Sequence, residues 1–366
     1  MRNIVYTLVV LGTLSAACAE QEVVPTGSLE LRPSVTLSVP TDASDLEGTA
    51  PARSSAGFYA AQTLAGRGGG IAVFDSTGTL IRELNAQGRG PGEFTDVQSV
   101  GFGPGDTLWV VEITRAHAFT PAPDLQFVRM VNFESATSST VTPRGFLSRG
   151  LFTGEGIQAP SLRDWDGRVV ARFTLPSEIA KMEAQMGPVA LAADGALWFG
   201  HGERYEVGRF AAEGGDPLWI KRELAWFPPD EGYKGALNVV RPPARLQTLA
   251  ADADGRVLVL SRRAHPNWAP MGGGTGGPER VERQRSGSAA AEAAAARPSL
   301  ADWGKLFEFV LEVFSADGRL LASRVLDDGM QGFMDGSNVY QVLADESGHI
   351  SIRLWSVRVS EGGSTP

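Results

Sequence analysis

Between Leu29 and Val359 apolar and polar positions alternate in short runs closed by Gly-containing turns, with no sustained helical period between them. That pattern predicts an all-β chain. One turn class joins a small apolar run to an aliphatic or Trp strand, as in Val100–Val110 (VGFGPGDTLWV) and Leu191–Phe199 (LAADGALWF), with Trp109 and Trp198 in equivalent places. Leu249–Leu260 and Leu343–Ile352 read as further copies, and Phe146–Phe152 as a weaker one, so that Gly105, Gly150 and Gly195 fall 45 residues apart. A second class alternates with the first in Phe74–Leu80, Trp165–Val170 and Phe314–Leu321, with less regular members near Pro121–Leu125 and Glu213–Leu218. Two hairpins per unit of about 45 residues is the content of a four-stranded propeller blade.

The second class counts five blades, and the sixth must come from strands around Val339–Leu343 and His349–Val359. That blade lacks an outer strand, which Leu29–Val39 (LELRPSVTLSV) can supply; Pro33 suits an outermost position, where one side of the ladder needs no donor. The expected fold is a six-bladed β-propeller of four-stranded antiparallel blades over residues 29–360, the last blade closed by an N-terminal strand. Residues 265–305 interrupt blade five with a Gly-rich, then charged, then Ala-rich insertion, read as a disordered loop with a lid as the rival reading; Trp268, Trp303 and Phe307 stand at its ends.

Before the repeats, Arg2, the apolar run Ile4–Leu14 and the small residues Ser15–Ala17 have the layout of a secretory signal, too short to span a bilayer. The single cysteine, Cys18, ends it. Leu14–Cys18 resembles a lipobox with Ser15 where Leu is preferred, so residues 1–18 are read as a lipoprotein-type signal peptide and Cys18 as a lipid anchor in the outer membrane, the protein facing the periplasm or exterior. Cleavage at Ala17-Cys18-Ala19 to release a soluble secreted protein is the alternative. Residues 19–28 then form a tether, and 361–366 a disordered tail.

Composition narrows the chemistry. A net charge of −9 opposes generic nucleic-acid binding, and one cysteine excludes a disulfide framework or a Cys-rich metal site. Asp252-x-Asp254-Gly255 opens like a calcium loop, but Arg263 occupies the twelfth position, where a bidentate Glu is needed. No Gly-x-Ser-x-Gly elbow or phosphate-binding loop occurs, and no cofactor is expected. Loops joining second and third strands share a face with the connections between blades. This face should gather Glu112, Arg115 and His117 from blade two, His201, Glu203 and Arg204 from blade four, and Arg262, Arg263 and His265 from blade five. Arg89 and Glu93 should join that rim, where the set would converge near the axis on an anionic ligand or partner.

Gly88-Arg89-Gly90-Pro91-Gly92-Glu93-Phe94, followed by a strand and a Gly turn, resembles the G-x-GPG-[EQ]-F inter-blade element of NHL-like and TolB-like six-bladed β-propellers. The element occurs once, and Glu112 and His201 stand where the family has an Asp after the inner strand pair. The resemblance implies the fold. It also implies an alternative function, a hydrolase or lyase using a metal at the central channel, as in several similar propellers. The main expectation is a monomeric, non-enzymatic, exported module binding a protein or saccharide partner; a purely architectural role in an envelope assembly is the third reading.

Overall fold

The computed structural model describes residues 25–361 except 41–42, 48, 65–68, 134–138, 150–151, 154–155, 158, 176–186, 203, 213, 228–240, 270–305 and 327–328. The chain opens with β1 (Gly27–Ser38). Blade one follows as β2 (Ala52–Arg53), β3 (Tyr59–Thr63), β4 (Gly70–Phe74) and β5 (Leu80–Leu84), and blade two as β6 (Ser99–Phe102), β7 (Leu108–Val111), β8 (Arg115–Phe119) and β9 (Phe127–Asn132). Blade three comprises β10 (Ser139–Thr142), β11 (Gly145–Ser148), β14 (Ser161–Arg163) and β15 (Val169–Arg172), with a small hairpin of β12 (Phe152–Thr153) and β13 (Gly156–Ile157) inserted. Blade four is β16 (Val189–Leu191), β17 (Leu197–Gly200), β18 (Glu206–Phe210) and β19 (Leu218–Lys221); blade five is β20 (Arg245–Ala251), β21 (Val257–Ala264), β22 (Phe307–Phe314) and β23 (Leu320–Leu326). Blade six is β24 (Met330–Asp335), β25 (Asn338–Ala344) and β26 (Ile350–Glu361), and β1 pairs with β26 as its fourth strand.

The ring is therefore closed by the N-terminal strand, as expected. The β1–β26 register runs from Gly27↔Glu361 to Ser38↔Ser351 and shifts between Pro33 and Thr36, so the proline sits at an irregularity of an outer strand. The strand begins two residues earlier than the sequence suggested, inside the expected tether, while residues 1–24, including Cys18, and 362–366 lie outside the described residues.

The turns follow one local chemistry. In Asp75–Thr79 the Asp75 carboxylate accepts hydrogen bonds from the backbone N–H groups of Thr77 (2.9 Å) and Thr79 (3.0 Å). Gly78 takes φ +87°, and any side chain there would overlap the Thr36 carbonyl of β1, so glycine serves both the turn and blade closure. Asp164–Arg168 and Asp252–Arg256 repeat the carboxylate-to-backbone pattern.

Two of the expected inner turns lie elsewhere in the structure. The β10–β11 turn is the two-residue Pro143–Arg144, so Phe146–Ser148 is strand, and Gly150 lies outside the described residues. In blade six the inner turn is Gly336–Ser337; Asp345–His349 joins β25 to β26 on the opposite face. The first strand of that blade, Met330–Asp335, had no turn signal to announce it.

Between neighbouring blades lie compact apolar clusters. Phe94, Val110 and Phe119 pack with Ala60 and Val73 between blades one and two, and Trp198, Val207 and Phe314 fill the seam between blades four and five. Leu37, Phe74 and Leu354 join blade six to blade one. The equivalence of Trp109 and Trp198 holds: each is a buried second-strand residue facing the following blade, and Trp109 stacks on Trp165 at 5.5 Å. Ala264 pairs with Phe307, so the insertion leaves and re-enters blade five at adjacent positions. Trp268 packs against the blade five–six cluster and Phe307 is fully buried in β22, whereas Trp303 and residues 270–305 lie outside the described residues.

Candidate functional site

The loops joining second to third strands and the connections between blades share one face, as the bond from Phe133 N–H to the Thr114 carbonyl (2.9 Å) shows in blade two. On this loop-bearing face the GPGEF segment folds back on itself. Glu93 turns inward to accept the Gly90 N–H at 2.8 Å, and a side chain on Gly88 would overlap that carboxylate. Phe94 is fully buried between blades one and two, with its ring edge-on to His117 at 5.4 Å.

Glu112, 3% exposed, organises this end of blade two. Its Oε1 accepts from Thr95 N–H (2.7 Å), Thr95 Oγ1 (2.8 Å) and Asp96 N–H (3.2 Å). Its Oε2 accepts from Arg115 Nε and from His117 Nε2 (3.0 Å). Arg115 also donates to the backbone carbonyls of Arg89 (2.8 Å) and Gly88 (3.2 Å), tying the GPGEF loop to the blade. Burial opposes the charge of Glu112, but Arg115, Thr95 and His117 outweigh it and hold the pKa at about 2.

His117 has no exposed surface. Its Nδ1 accepts from Gly92 N–H at 3.3 Å, so the Nε2 proton faces Glu112 and the ring is neutral. Burial pushes its pKa down, against the opposing pull of the Glu112 hydrogen bond. The folded state thus resists a proton that the unfolded chain accepts below about pH 6.5, so this contribution to stability is present at neutral pH and lost on acidification. Glu112 acts in the same direction lower down, its contribution disappearing as pH falls from the ordinary carboxylate range towards about 2. Thermal unfolding from pH 7 to 5 is expected to show a falling midpoint, and His117→Gln should flatten that slope whatever its effect on the midpoint at pH 7. An unchanged slope would remove His117 as its source.

The other rim residues have separate roles. Arg263 pairs with Glu308 (2.7 Å) and lies over Trp226; Arg262 lies over the Phe307 ring at 5.0 Å. Exposed Arg204 approaches Glu206 at 3.9 Å, His201 follows β17 and is partly buried, and Glu203 lies outside the described residues. His265 accepts the Asn267 N–H at its Nδ1 (3.1 Å), shaping the start of the insertion. The structure unites Glu93, Glu112, Arg115 and His117 with the Arg89 backbone carbonyl, but as a clamp between loop and blade: His117 is fully buried and Glu112 is occupied by five internal bonds, while the Arg89 side chain is exposed.

Sequence reasoning missed a second clamp. Tyr205 and Arg222 of blade four both donate to Glu312 of β22, which is 2% exposed. Glu308 and Glu312 are the only charges in the otherwise apolar FEFVLEVF strand and share one face, a signal that was there to be read. Inner strands of blades six, one, two and three wall a channel-side cavity of about 310 Å³, with Gln98, Ser99 and Thr140 beside Phe102, Val141 and Phe333. Among the described residues no three His, Cys, Asp or Glu side chains gather to hold a metal ion, and no helix is long and apolar enough to cross a membrane.

Six four-stranded blades in a closed ring make this chain a six-bladed β-propeller. No protein-family model matches the sequence, and no curated protein is significantly similar to it. Among solved structures it is similar to a member of the DUF4221 family from Bacteroides vulgatus, with 10% identity, 92% of this chain and 99% of that one covered, and a TM-score of 0.52. It is also similar to a protein from Bacteroides fragilis designated as exported, with 10% identity, 91% and 95% covered, and a TM-score of 0.51. Identities this low establish the shared fold alone.

Proposed function

We propose that the protein is an exported, lipid-anchored monomeric propeller that binds a protein or saccharide partner through its loop-bearing face and performs no chemistry there. One contrast carries the reading. The acidic groups of the two clamps are spent on internal bonds, while Leu64 and Ile113, at corresponding loops of blades one and two, stand 54% and 37% exposed. Spent ionisable groups suit a scaffold, and apolar side chains offered to solvent on a loop face suit a contact surface. The signal-like segment ending at Cys18 and the exported B. fragilis neighbour support the location.

Envelope fractionation tests the reading. The chain should sediment with outer membranes carrying acyl groups on Cys18, and Cys18→Ser should release it. Leu64→Asp combined with Ile113→Asp should leave membrane attachment and melting unchanged and abolish retention of the partner that cross-links to the unaltered chain. A mature, unacylated protein starting at Glu20 would remove the anchor, and undiminished partner retention by the double variant would remove the face.

A further inference from the structure

The channel-side cavity is bounded by the inner strands β2, β6, β10 and β24 and by Gln62 near the end of β3. Bonds between blades build its wall. Gln62 donates its amide Nε2 to the Val97 carbonyl at 2.9 Å, and Ser99 donates its hydroxyl to the Ser139 carbonyl at 2.9 Å. The first bond fixes the amide of Gln62, a residue only 2% exposed, and among the described residues its amide oxygen accepts no hydrogen bond. Gln98, just before β6, has no side-chain hydrogen bond among them either, and Thr140 is exposed between buried Ser139 and half-buried Val141 in β10. Inner strands run from the loop-bearing face towards the tight-turn face. These polar groups therefore lie nearer the loop-bearing end, while Phe102 and Phe333, late in β6 and β24, lie deeper. The two charged wall residues, Arg53 and Asp335, are opposite in sign: Arg53 lies over the Tyr59 ring at 5.5 Å, and Asp335 accepts from Ser337 N–H (2.7 Å) and Asn338 Nδ2 (3.0 Å).

A nearly buried amide with a vacant acceptor calls for a donor from outside the fold. Water can be that donor, but it gains nothing from the aromatic and aliphatic wall beneath. A ligand with hydroxyls on one side and C–H groups on the other uses both. We propose that this cavity binds one neutral pyranose ring, its hydroxyls bonded to the Gln62 and Gln98 amides and its C–H face laid towards Phe102 and Phe333. Sugar hydroxyls both donate and accept, which matches amide oxygen and amide NH₂ alike. A wall without net charge would leave a carboxylate or phosphate desolvated and unpaired, so the ligand is neutral. The volume of about 310 Å³ stands at the lower end of small-molecule sites, which span about 300–1,000 Å³, and suits a single ring rather than a chain of sugars. This rests on the binding-module function proposed above and gives its saccharide class a place apart from Leu64 and Ile113, neither of which lines the cavity.

Calorimetric titration and saturation-transfer NMR of the full chain test it, with D-glucose, D-galactose and D-mannose as probes, beside the methyl β-glycoside and the uronate of each. At least one neutral sugar should bind, with transfer strongest at its ring C–H protons, and its uronate should bind more weakly. A methyl glycoside that binds as well as its free sugar would assign the end of a glycan as the source, and one that does not would assign the free sugar. Gln98→Leu, which breaks no side-chain bond within the described fold, should melt unchanged and bind about 2- to 10-fold more weakly, the scale of one neutral hydrogen bond. Thr140→Trp, which fills the cavity from an exposed position, should also melt unchanged and should not bind. The absence of binding by every neutral sugar would overturn the site, as would equal binding by the unaltered chain and Thr140→Trp, or a uronate that binds as tightly as its neutral sugar. The Leu64→Asp, Ile113→Asp variant should keep sugar binding while losing the envelope partner. Sugar binding by no form, with the partner still retained by the unaltered chain, would sink the cavity site and leave the binding-module reading standing.

Discussion

Glu112→Ala is expected to lower the free energy of unfolding by about 3–5 kcal/mol, the range for removing one partner of a buried ion pair and stranding the other. The variant leaves the Arg115 guanidinium, 12% exposed, without its carboxylate, and deprives Thr95, Asp96 and His117 of their acceptor. The GPGEF loop should loosen with it, because Arg115 carries the bonds from blade two to the Gly88 and Arg89 carbonyls. Urea unfolding followed by tryptophan fluorescence should show a lower midpoint at an unchanged slope. A loss below about 1 kcal/mol, the value of an exposed pair, would mean that the clamp contributes little.

Deletion of residues 25–39 should have an effect of the order of the whole net stability. It removes Leu29 from the blade five–six core and Leu37 and Val39 from the blade six–one core, each worth about 1.5–3 kcal/mol when fully buried. It also strips the partner from β26, a twelve-residue strand whose exposed edge would become a template for association. Against a typical net stability of about 5–15 kcal/mol, the truncated chain should be insoluble or lack a cooperative transition in circular dichroism and size-exclusion chromatography. A soluble monomer melting like the complete chain would show that the ring does not need its N-terminal closure.

The parts of this fold that could be read from sequence are those whose chemistry is local. An Asp followed three residues later by Gly makes the same turn at 75–79 and 252–256 because the carboxylate bonds only to its own backbone. The same locality misled at Asp345–His349, where the turn is of that kind but joins a different pair of strands: its chemistry is indifferent to which strands it connects. The tight turns at Pro143–Arg144 and Gly336–Ser337 carry no such signature, so the inner hairpins of blades three and six were misplaced. For the rim, residue type and approximate position were legible, but partners were not. Glu112 meets Thr95 across 17 residues and Tyr205 meets Glu312 across 107, and these pairings follow from register and blade order rather than from any nearby pattern.

The central claim is that the loop-bearing face is the contact surface. Site-specific photo-cross-linking in intact envelopes measures this directly, with a photoreactive residue at Ile113 on that face or at Thr77 in a tight turn on the other. The account predicts one discrete cross-linked species from Ile113 and none from Thr77. Cross-linking from Thr77 with none from Ile113 would contradict it.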